Sequence, residues 1–439
     1  MARLLVLVDN LDRAQFFARW TDAFDRLGLE HEFLCYRRSV RRWLCRRGID
    51  ASIFRRRFGA KDDEFAEEER QRFDALCRGS LEVLRGDTSL DAARRVAPSF
   101  VRWIRDRGQR LSATHLFLWN GSQLFESLAK RAVENLCETR CFEIGNVPGK
   151  TFVDPDGVNA ASSIATQPDR VRQMGVPTAI EFERWKTGYF DQKRNRRVPQ
   201  ASRAASLQWE RIGDVLAAKW GIGSYPIRPA AMLARFVQKM RSKTGGARNA
   251  IHESLADREF YFYPFQVSTD TQLLVHSDVD NVAAVQMVYR QCVRDHVHLV
   301  IKPHPAEIDA SILPGVRQAL NTLRNGLIGG SWVPKVWIVS NPTEACVEHA
   351  RHVFTINSTV GLEAMIANRP ITVLGRSFYR RFSEHPQNLE AYLTRYLCDV
   401  EYFSEAEVPV DALHHVMQLG ANGIERQTPM RRLAAAAAA

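Results

Sequence analysis

The 439-residue sequence has no long hydrophobic run and no leader-like start. No apolar stretch approaches the roughly 18–20 residues that span a bilayer. The opening "MARLLVLVDNLDRAQF" becomes acidic too early for a signal peptide. Because hydrophobic residues make up 45% and charged residues 25% of the chain, its composition is that of an ordinary globular protein. We therefore expect a cytoplasmic protein with two domains, or one large one, and an ample core.

Cysteine pairs at metal-ligand spacing and a dinucleotide-binding loop are also missing. The eight cysteines are scattered, and only Cys137 and Cys141 lie close together, at C-x3-C. Since no matching cysteine or histidine pair accompanies them, we predict reduced structural thiols and no zinc. The sequence contains no GxGxxG, so it gives no dinucleotide fingerprint. We expect no cofactor.

Acidic residues are fewer than basic ones, which gives a net charge of +11, and the basic residues are unevenly distributed along the chain. The segment from Arg37 to Arg57, called here the basic segment (37–57), has Trp43 and Phe54 among its arginines and is followed by Phe58. A second basic stretch is "QKRNRR" at 192–197. Arginine clusters attract anionic lipid, glycan or nucleic acid, but no nucleic-acid motif accompanies this one. We predict an anionic membrane surface or lipid acceptor as partner and no nucleic acid; the alternative is a solvated arginine-rich face. The basic segment contains Arg37, Arg38, Arg41, Arg42, Arg46, Arg47, Arg55, Arg56 and Arg57.

Strands and helices alternate through both halves of the chain. "RLLVLVD" is typical of a buried strand, the next sixteen-residue pattern of a helix ending at Gly28, and "HEFLCY" of a second strand. Helical patterns at about 61–85 and 91–109 precede the strand "THLFLWNG", the helix "SQLFESLAKRAVENLC" and the strand "TRCFEIGN". This order predicts a Rossmann-like half with a mainly parallel sheet.

A second α/β half begins at "REFYFYPFQVSTDTQLL". It continues through "NVAAVQMVYRQCVRD" (helix), "VHLVIKPHP" and "KVWIVS" (strands), "PTEACVEHA" (helix), "HVFTIN" (strand), "GLEAMIAN" (helix) and "PITVLG" (strand). We predict an α/β protein with the GT-B arrangement, two Rossmann-like domains facing a cleft. The predicted domains are 1–240 (acceptor binding, with helical insertions), 258–405 (nucleotide binding) and a helix within 406–433 that crosses back.

The stretch "HLVIKPHPAE" runs an apolar strand into a histidine held between two prolines. Pro303 and Pro305 stop the strand and keep His304 in an extended loop, because proline fixes φ and cannot continue a helix. Ligands bind at the carboxyl ends of strands in open α/β sheets. Lys302 is therefore predicted to supply charge to a phosphate, and His304 a hydrogen bond.

A second ligand-binding pattern follows the strand "VFTIN". Asn357, Ser358 and Thr359 precede a helix whose first N–H groups and dipole can bind an anion. Gly361 permits close approach, and Glu363 is placed to accept hydrogen bonds from ribose hydroxyls. The alternative is a capping box, in which serine or threonine caps the helix and the glutamate answers.

Together, these stretches resemble the bacterial capsule polysaccharide biosynthesis and export family. The likeness rests on "KPHPAE", on "INSTVGLEAM" with "RPITVLG" some fifty residues later, and on "FYPFQVSTDTQLL" and "FEIGNVPGKTFVDPDGVNAASSI". It covers about 140–380 in order. Members of that family are retaining β-Kdo glycosyltransferases that use CMP-Kdo, and this chain carries one such module.

The resemblance implies roles for individual residues. His304 of the HP motif contacts the CMP phosphate, and Ser358, Thr359 and Glu363 provide further nucleotide contacts. A carboxylate after the Q-x-x-x-D-type strand has been implicated as the nucleophile, which here is Asp270.

Several assignments stay open at this level. Glu143, at the end of a strand in the first half, is the second candidate carboxylate. Either acid can instead be structural, Asp270 in a turn and Glu143 paired with an arginine. Asn159 and Gln266 are placed on the acceptor side.

A metal is not expected. Asp154 with Asp156, and Asp278 with Asp280, form D-x-D strings like those of metal-dependent GT-A transferases. However, "DPDG" is typical of a turn and "DVDN" of a helix cap. A phosphate leaving group can also be stabilised by cations and N–H donors alone.

The sequence thus predicts a metal-independent, retaining transferase that moves Kdo from CMP-Kdo to a lipid or glycan acceptor at the inner membrane. The alternatives are an inverting transferase of another CMP-activated acid sugar, such as a sialic acid, and a non-catalytic export or assembly protein.

Overall fold

The fold is that of a computed structural model, which describes residues 2–56, 65–195, 214, 254–268, 271–304, 312–327 and 332–419. The chain divides into two units. Unit 1 comprises Met1–Arg228 and Pro386–Ala439, and unit 2 comprises Pro229–His385. Residues 386–405, which the sequence analysis assigned to the second domain, therefore pack with the first.

Unit 1 contains a six-stranded sheet in the order β3-β2-β1-β4-β5-β6. All neighbouring strands are parallel except β5 and β6. This is the strand order of a Rossmann fold. The strands are β1 (Arg3–Val8), β2 (Glu30–Cys35), β3 (Ala51–Ile53), β4 (His115–Trp119), β5 (Glu138–Ile144) and β6 (Thr151–Asp154). The helices are α1 (Leu11–Ala18), α2 (Thr21–Arg26), α3 (Arg38–Cys45), α4 (Glu67–Gly79), α5 (Leu81–Leu84), α6 (Leu90–Leu111), α7 (Leu124–Val133), α8 (Ser163–Thr166) and α9 (Ala179–Asn195).

The first β-α-β crossover follows the sequence pattern closely. Residues 4–8 of β1 are fully buried, and α1 begins where the Asn10 side chain accepts a hydrogen bond from the backbone N–H of Arg13 (3.0 Å). The predicted single helix is broken into α1 and α2 near Trp20, whose indole is buried. Gly28 has φ +62° directly after α2, in the left-handed conformation that ends helices.

Unit 2 contains a five-stranded parallel sheet in the order β11-β10-β7-β8-β9. Its strands are β7 (Phe260–Pro264), β8 (His298–Lys302), β9 (Val336–Ile338), β10 (His352–Thr355) and β11 (Ile371–Val373). Its helices are α10 (Thr271–His276), α11 (Asn281–Asp295), α12 (Ile312–Asn325), α13 (Thr343–His349) and α14 (Thr359–Ile366). The prediction of an α/β chain with two Rossmann-like halves is confirmed, although α12 was not predicted.

The last described part of the chain, with α15 (Pro386–Ala391) and α16 (Val410–Gln418), packs on unit 1. Thr151 and Cys398 exchange two backbone hydrogen bonds of 2.9 Å. The Tyr396 hydroxyl donates to Asp154 (2.9 Å). The buried Arg140 guanidinium donates to the carbonyl of Val416 (2.9 Å) at the end of α16. These contacts make the segment part of the first core; residues beyond 419 lie outside the described ranges.

A buried acid cluster lies where the order of the unit 1 strands reverses, between β1 and β4. Asp9 follows β1, and Glu126 lies in the first turn of α7, with exposures of 3% and 1%. Asp9 pairs with Arg13. Glu126 Oε1 accepts from the Tyr36 hydroxyl (2.9 Å), while Oε2 has no hydrogen-bond partner among the described residues. Burial, and secondly the charge of Asp9, raise the pKa of Glu126 to about 8.

This raised pKa predicts an unusual pH dependence for Glu126→Gln. Between pH 4.5, the ordinary glutamate value, and pH 8, the folded state keeps a proton that the unfolded state has lost. Wild-type stability therefore falls as pH rises through this window. Because glutamine resembles the protonated acid, we expect Glu126→Gln to match wild type near pH 4. At pH 7 it should be more stable by up to about 3 kcal/mol.

Chemical denaturation of both proteins from pH 4 to 8 measures this difference. The exposed Glu68, which pairs with Arg72 on the surface of α4, supplies the control. Glu68→Gln should shift stability by less than about 0.5 kcal/mol at any pH in this range. A pH-independent difference between Glu126→Gln and wild type would contradict the assignment of a protonated Glu126.

Candidate functional site

The site in unit 2 lies at the carboxyl end of its sheet, where the strand order reverses between β7 and β10. Pro264 is paired with Lys302 of β8, and Phe262 with Val353 of β10. Continuing this register two residues past the strand ends brings Gln266, His304 and Asn357 into one row. Gln266 is hydrogen-bonded to Asn357 across this edge, and His304 lies two residues beyond the end of the neighbouring β8. The two predicted binding stretches therefore meet at one edge of the sheet, at the position where open α/β sheets bind ligands.

Gln266 and Asn357 join the two central strand ends through their side chains. Gln266 Nε2 donates to Asn357 Oδ1 (2.7 Å), and Gln266 Oε1 accepts from the backbone N–H of Asn357 (2.9 Å). Both residues are more than nine-tenths buried. Asn357 Oδ1 and Gln266 are thus engaged with each other, so the structure gives them a positioning role at the start of α14.

A third amide completes this network from helix α11. The fully buried Asn281 accepts from the Gln266 backbone N–H (3.2 Å) and from the Tyr263 hydroxyl (2.9 Å), and donates to the Gln266 carbonyl (2.8 Å). Asn281 was not predicted as a site residue. The sequence does place Asn281 directly after the aspartate that caps the helix in "DVDN". It does not show which distant residue the Asn281 amide will contact.

The start of α14 presents hydroxyl and backbone donors. Ser358 caps the helix, accepting from the backbone N–H of Val360 (3.3 Å). Its hydroxyl proton remains a donor for an anion. Thr359 is exposed at the first helical position. The helix dipole adds partial positive charge at this end, so the arrangement suits a phosphate.

Gly361 and Glu363 are placed differently from the expectation. Gly361 is buried, and a Cβ there would lie 2.6 Å from the Tyr379 hydroxyl oxygen and 2.9 Å from a Thr355 methyl carbon. Glycine is therefore required by the close packing of Tyr379, whose hydroxyl also donates to the Ser358 carbonyl. The sequence analysis had instead explained Gly361 by the close approach of a ligand. Glu363 is half-buried, two residues beyond the position that a capping box with Ser358 requires.

Lys302 and His304 occupy the end of the neighbouring strand. Lys302 is half-buried, and its Nζ donates to the carbonyl of Asn341. His304 is exposed, two residues beyond β8. Asn341, itself 3% exposed, thus orients the lysine, and this partner was not predicted. Asp270, the predicted nucleophile, lies outside the described residues, as does Pro305.

The remaining predicted site residues lie in unit 1. Glu143 is half-buried on β5, where its carboxylate accepts from Asn120 Nδ2 (2.6 Å) and from the backbone N–H of Ile144 (3.0 Å). Asn159 has φ +52° in a short 3₁₀ turn after β6. No described contact tests the acceptor role of Asn159 or the catalytic role of Glu143.

The aspartates of the D-x-D strings have structural partners. Asp154 is fully buried and accepts from the Ser163 hydroxyl (2.7 Å) and the backbone N–H of Asp156 (2.8 Å). Asp280 caps α11, and Asp278 pairs with Arg376 (2.7 Å). Within the described ranges, no three histidine, cysteine, aspartate or glutamate side chains come together as a metal site would need.

The described part of the basic segment (37–57) presents most of its arginines to solvent. Helix α3 buries Val40 and Leu44 on one side, while Arg47 stacks over Trp43 at 3.8 Å. Phe54, which the sequence pattern grouped with the aromatic residues of the basic segment, is fully buried in the core. Phe58 and Arg57 lie outside the described residues. None of the helices in the described ranges has the length and apolar character needed to traverse a bilayer. The exposed arginines are Arg38, Arg41, Arg42, Arg46, Arg47 and Arg55.

Comparison with known proteins confirms the resemblance drawn from the sequence. Residues 221–382 match the family described as capsule polysaccharide biosynthesis protein. The Escherichia coli capsule polysaccharide export protein KpsS is 23% identical over 299 residues, which cover 64% of this chain and 72% of that protein. The Neisseria meningitidis serogroup A capsule polysaccharide modification protein LipB is 27% identical over 125 residues, or 28% of this chain and 29% of LipB.

Among solved structures, similarity is found to Thermosulfurimonas dismutans KpsC, beta Kdo 2,7 transferase. The TM-score is 0.40 with 17% identity, covering 72% of this chain and 89% of that chain. The family match contains the whole row formed by Gln266, His304 and Asn357.

Proposed function

We propose that the protein is a glycosyltransferase, on the premise that residues 221–382 match the family described as capsule polysaccharide biosynthesis protein. The proposed reaction transfers Kdo from CMP-Kdo to a lipid or glycan acceptor, with retention and without a metal. The observation that carries the proposal is the row of Gln266, His304 and Asn357 at the reversal of strand order in unit 2. It brings an imidazole and a helix start to one edge of a sheet, as binding a nucleotide phosphate requires.

The chemistry follows from what the departing CMP needs. Its phosphate gains only modest negative charge as the bond to the sugar breaks, so Lys302, His304 and the donors at the start of α14 can stabilise it without a general acid. Retention requires a carboxylate on the opposite face of the sugar, which forms a covalent intermediate before the acceptor hydroxyl attacks. Asp270 is assigned this role, with Glu143 as the second candidate.

A direct transfer assay tests the proposal. The protein is incubated with CMP-Kdo generated in situ and a panel of lipid and Kdo-terminated acceptors, and products are identified by mass spectrometry and NMR. We expect transfer that retains the anomeric configuration and survives EDTA. An inverted product would favour a different CMP-sugar transferase. Absence of transfer, together with no effect of millimolar CMP on the melting temperature, would favour a non-catalytic export or assembly protein.

We further propose that the basic segment (37–57) holds the protein at the cytoplasmic face of the inner membrane, where a lipid acceptor lies. Arg38, Arg42 and Arg46 are exposed at four-residue spacing on and just after α3, so they share one face. At about 1 kcal/mol for each arginine near an anionic surface, replacing all three by glutamine should weaken vesicle binding by about 10²-fold.

Co-sedimentation with phosphatidylglycerol-containing vesicles at increasing salt measures this effect, because surface electrostatic binding is screened by salt. A variant with three exposed arginines of α11 and α12 replaced provides a charge-matched control that should still bind. Equal binding to neutral and anionic vesicles would contradict the proposal. The control positions are Arg290, Arg294 and Arg317.

A further inference from the structure

A group of stacked rings occupies the surface at the amino ends of the unit 2 strands. The Trp332 indole stacks on the His298 imidazole, with centroids 5.4 Å apart and planes at 17°, and meets the edge of His296 at 5.8 Å. His298 in turn contacts Trp337 at 5.2 Å, and the Arg258 guanidinium lies 4.6 Å from the centroid of Trp337. This set, with Lys335, is called the Trp332 patch. Its rings are in continuous contact, one pair stacked and two pairs nearly perpendicular, and the group ends in a cation.

The patch is open to solvent. Trp332 is 37% and the adjacent Val333 41% exposed, and Arg258, His296 and Lys335 are exposed as well. Exposed apolar surface rimmed by polar residues is typical of interaction sites.

The patch carries two fixed cations, Lys335 and Arg258, and the exposed Asp257 neighbours Arg258 in the chain. Burial, then the charges of Lys335 and Arg258, lower the pKa of His298, so its ring is neutral near pH 7. His298 Nδ1 accepts from the backbone N–H of Lys335 (3.3 Å), which leaves the ring proton on Nε2 as a donor. The nearby carboxylate of Glu259 is paired with Arg351 (3.3 Å). The patch therefore combines fixed cations and a ring N–H donor with flat apolar faces.

This surface is separate from the nucleotide site. His298 begins β8 and His304 lies two residues beyond its end, so six residues of extended chain, about 20 Å, divide them. A ligand on the Trp332 patch would not displace one bound at the row of Gln266, His304 and Asn357.

We propose that the Trp332 patch is a second binding site that takes a short stretch of acidic polysaccharide. The C–H faces of a sugar ring carry partial positive charge and suit the negative face of an indole, here the face of Trp332 that His298 does not cover. The carboxylates of acid sugars would pair with Lys335 and Arg258 through charge-assisted hydrogen bonds. Charge complementarity favours an anionic chain over a polycation. Naming the chain's own acidic product as the natural ligand rests on the proposed function.

Binding of hexagalacturonate, a defined acidic oligosaccharide, tests the site by calorimetry on the full-length protein. We expect wild type to bind it, and neutral maltohexaose at least tenfold more weakly. Trp332→Ala and Lys335→Ala should each weaken hexagalacturonate binding by at least tenfold, while Val333→Ala, an exposed neighbour, leaves it unchanged. Circular dichroism confirms folding, and Lys335→Ala keeps the test valid if the tryptophan variant unfolds.

Unaltered affinity in both variants, equal affinity for the neutral hexamer, or no binding by wild type would overturn the proposal. The shift in melting temperature caused by CMP should be the same in Trp332→Ala as in wild type. Because the readout is binding and not transfer, a protein that binds hexagalacturonate through Trp332 but transfers no Kdo would refute the proposed function alone. Transfer without such binding would refute the patch alone.

Discussion

Replacement of Asp270 by asparagine is expected to lower kcat for Kdo transfer by at least about 10³-fold, since it removes the carboxylate that forms the covalent intermediate. Asp270 follows Gln266 by four residues, and Gln266 is fixed at the reversal of strand order by hydrogen bonds to Asn357 and Asn281. The amide is nearly the same size as the acid but a poor nucleophile. Binding of CMP, and the melting temperature, should therefore be close to those of wild type. Single-turnover kinetics with in situ CMP-Kdo measure the loss.

Glu143→Gln is the matched variant, because Glu143 is the other candidate nucleophile. If Asp270 forms the bond, Glu143→Gln retains the ability to accumulate a sugar–protein adduct, and mass spectrometry of peptides locates that adduct on the peptide containing Asp270. Adduct on the Glu143 peptide would reverse the two assignments. Wild-type turnover by Asp270→Asn would remove Asp270 from the mechanism.

Replacement of His304 by alanine is expected to lower kcat/KM by about 10²-fold, or roughly 3 kcal/mol of transition-state stabilisation, through loss of one hydrogen bond to the departing phosphate. His304 is exposed and lies outside the core, so the fold should be unaffected. We also expect a smaller shift of the melting temperature by CMP. A ligand present at 100 times its Kd stabilises the folded protein by about 2.7 kcal/mol. If the variant binds CMP more weakly, the same CMP concentration stabilises it less.

Two further variants separate a local hydrogen bond from a general effect of losing a histidine. His304→Gln keeps a donor and should recover part of the activity. His349→Ala removes another exposed histidine of unit 2, at the end of α13, and should behave as wild type. If His304→Ala retains full activity and the full CMP shift, the phosphate contact is wrong.

The elements of the fold were readable because each has a local cause. The helix predicted from "NVAAVQMVYRQCVRD" is α11 residue for residue, since an aspartate caps its start and apolar residues recur at helical spacing. The strand "HLVIK" is bounded by proline on one side. Helix α12 was missed because its first turn contains Pro314 and Gly315, a pair that in sequence indicates a turn.

Long-range partners were not readable. The exchange of hydrogen bonds between Gln266 and Asn357 joins residues 91 positions apart, and sequence alone assigned these residues to opposite sides of the site. Likewise, the sequence around Gly361 suggested a glycine that lets a ligand approach the backbone. In the structure, the Tyr379 side chain occupies the space beside it. Such contacts depend on sheet register, which one sequence does not state.

The sequence by itself determined the alternation of strands and helices and the resemblance to the capsule polysaccharide biosynthesis family, because these depend on neighbouring residues and fixed spacings. Only the tertiary structure decided that Gln266, His304 and Asn357 form one row, that residues 386–419 complete the first unit, and that Trp332 meets two histidines on the surface. Those arrangements arise from strand order and packing, in which distant residues become neighbours to bury apolar surface and satisfy buried polar groups.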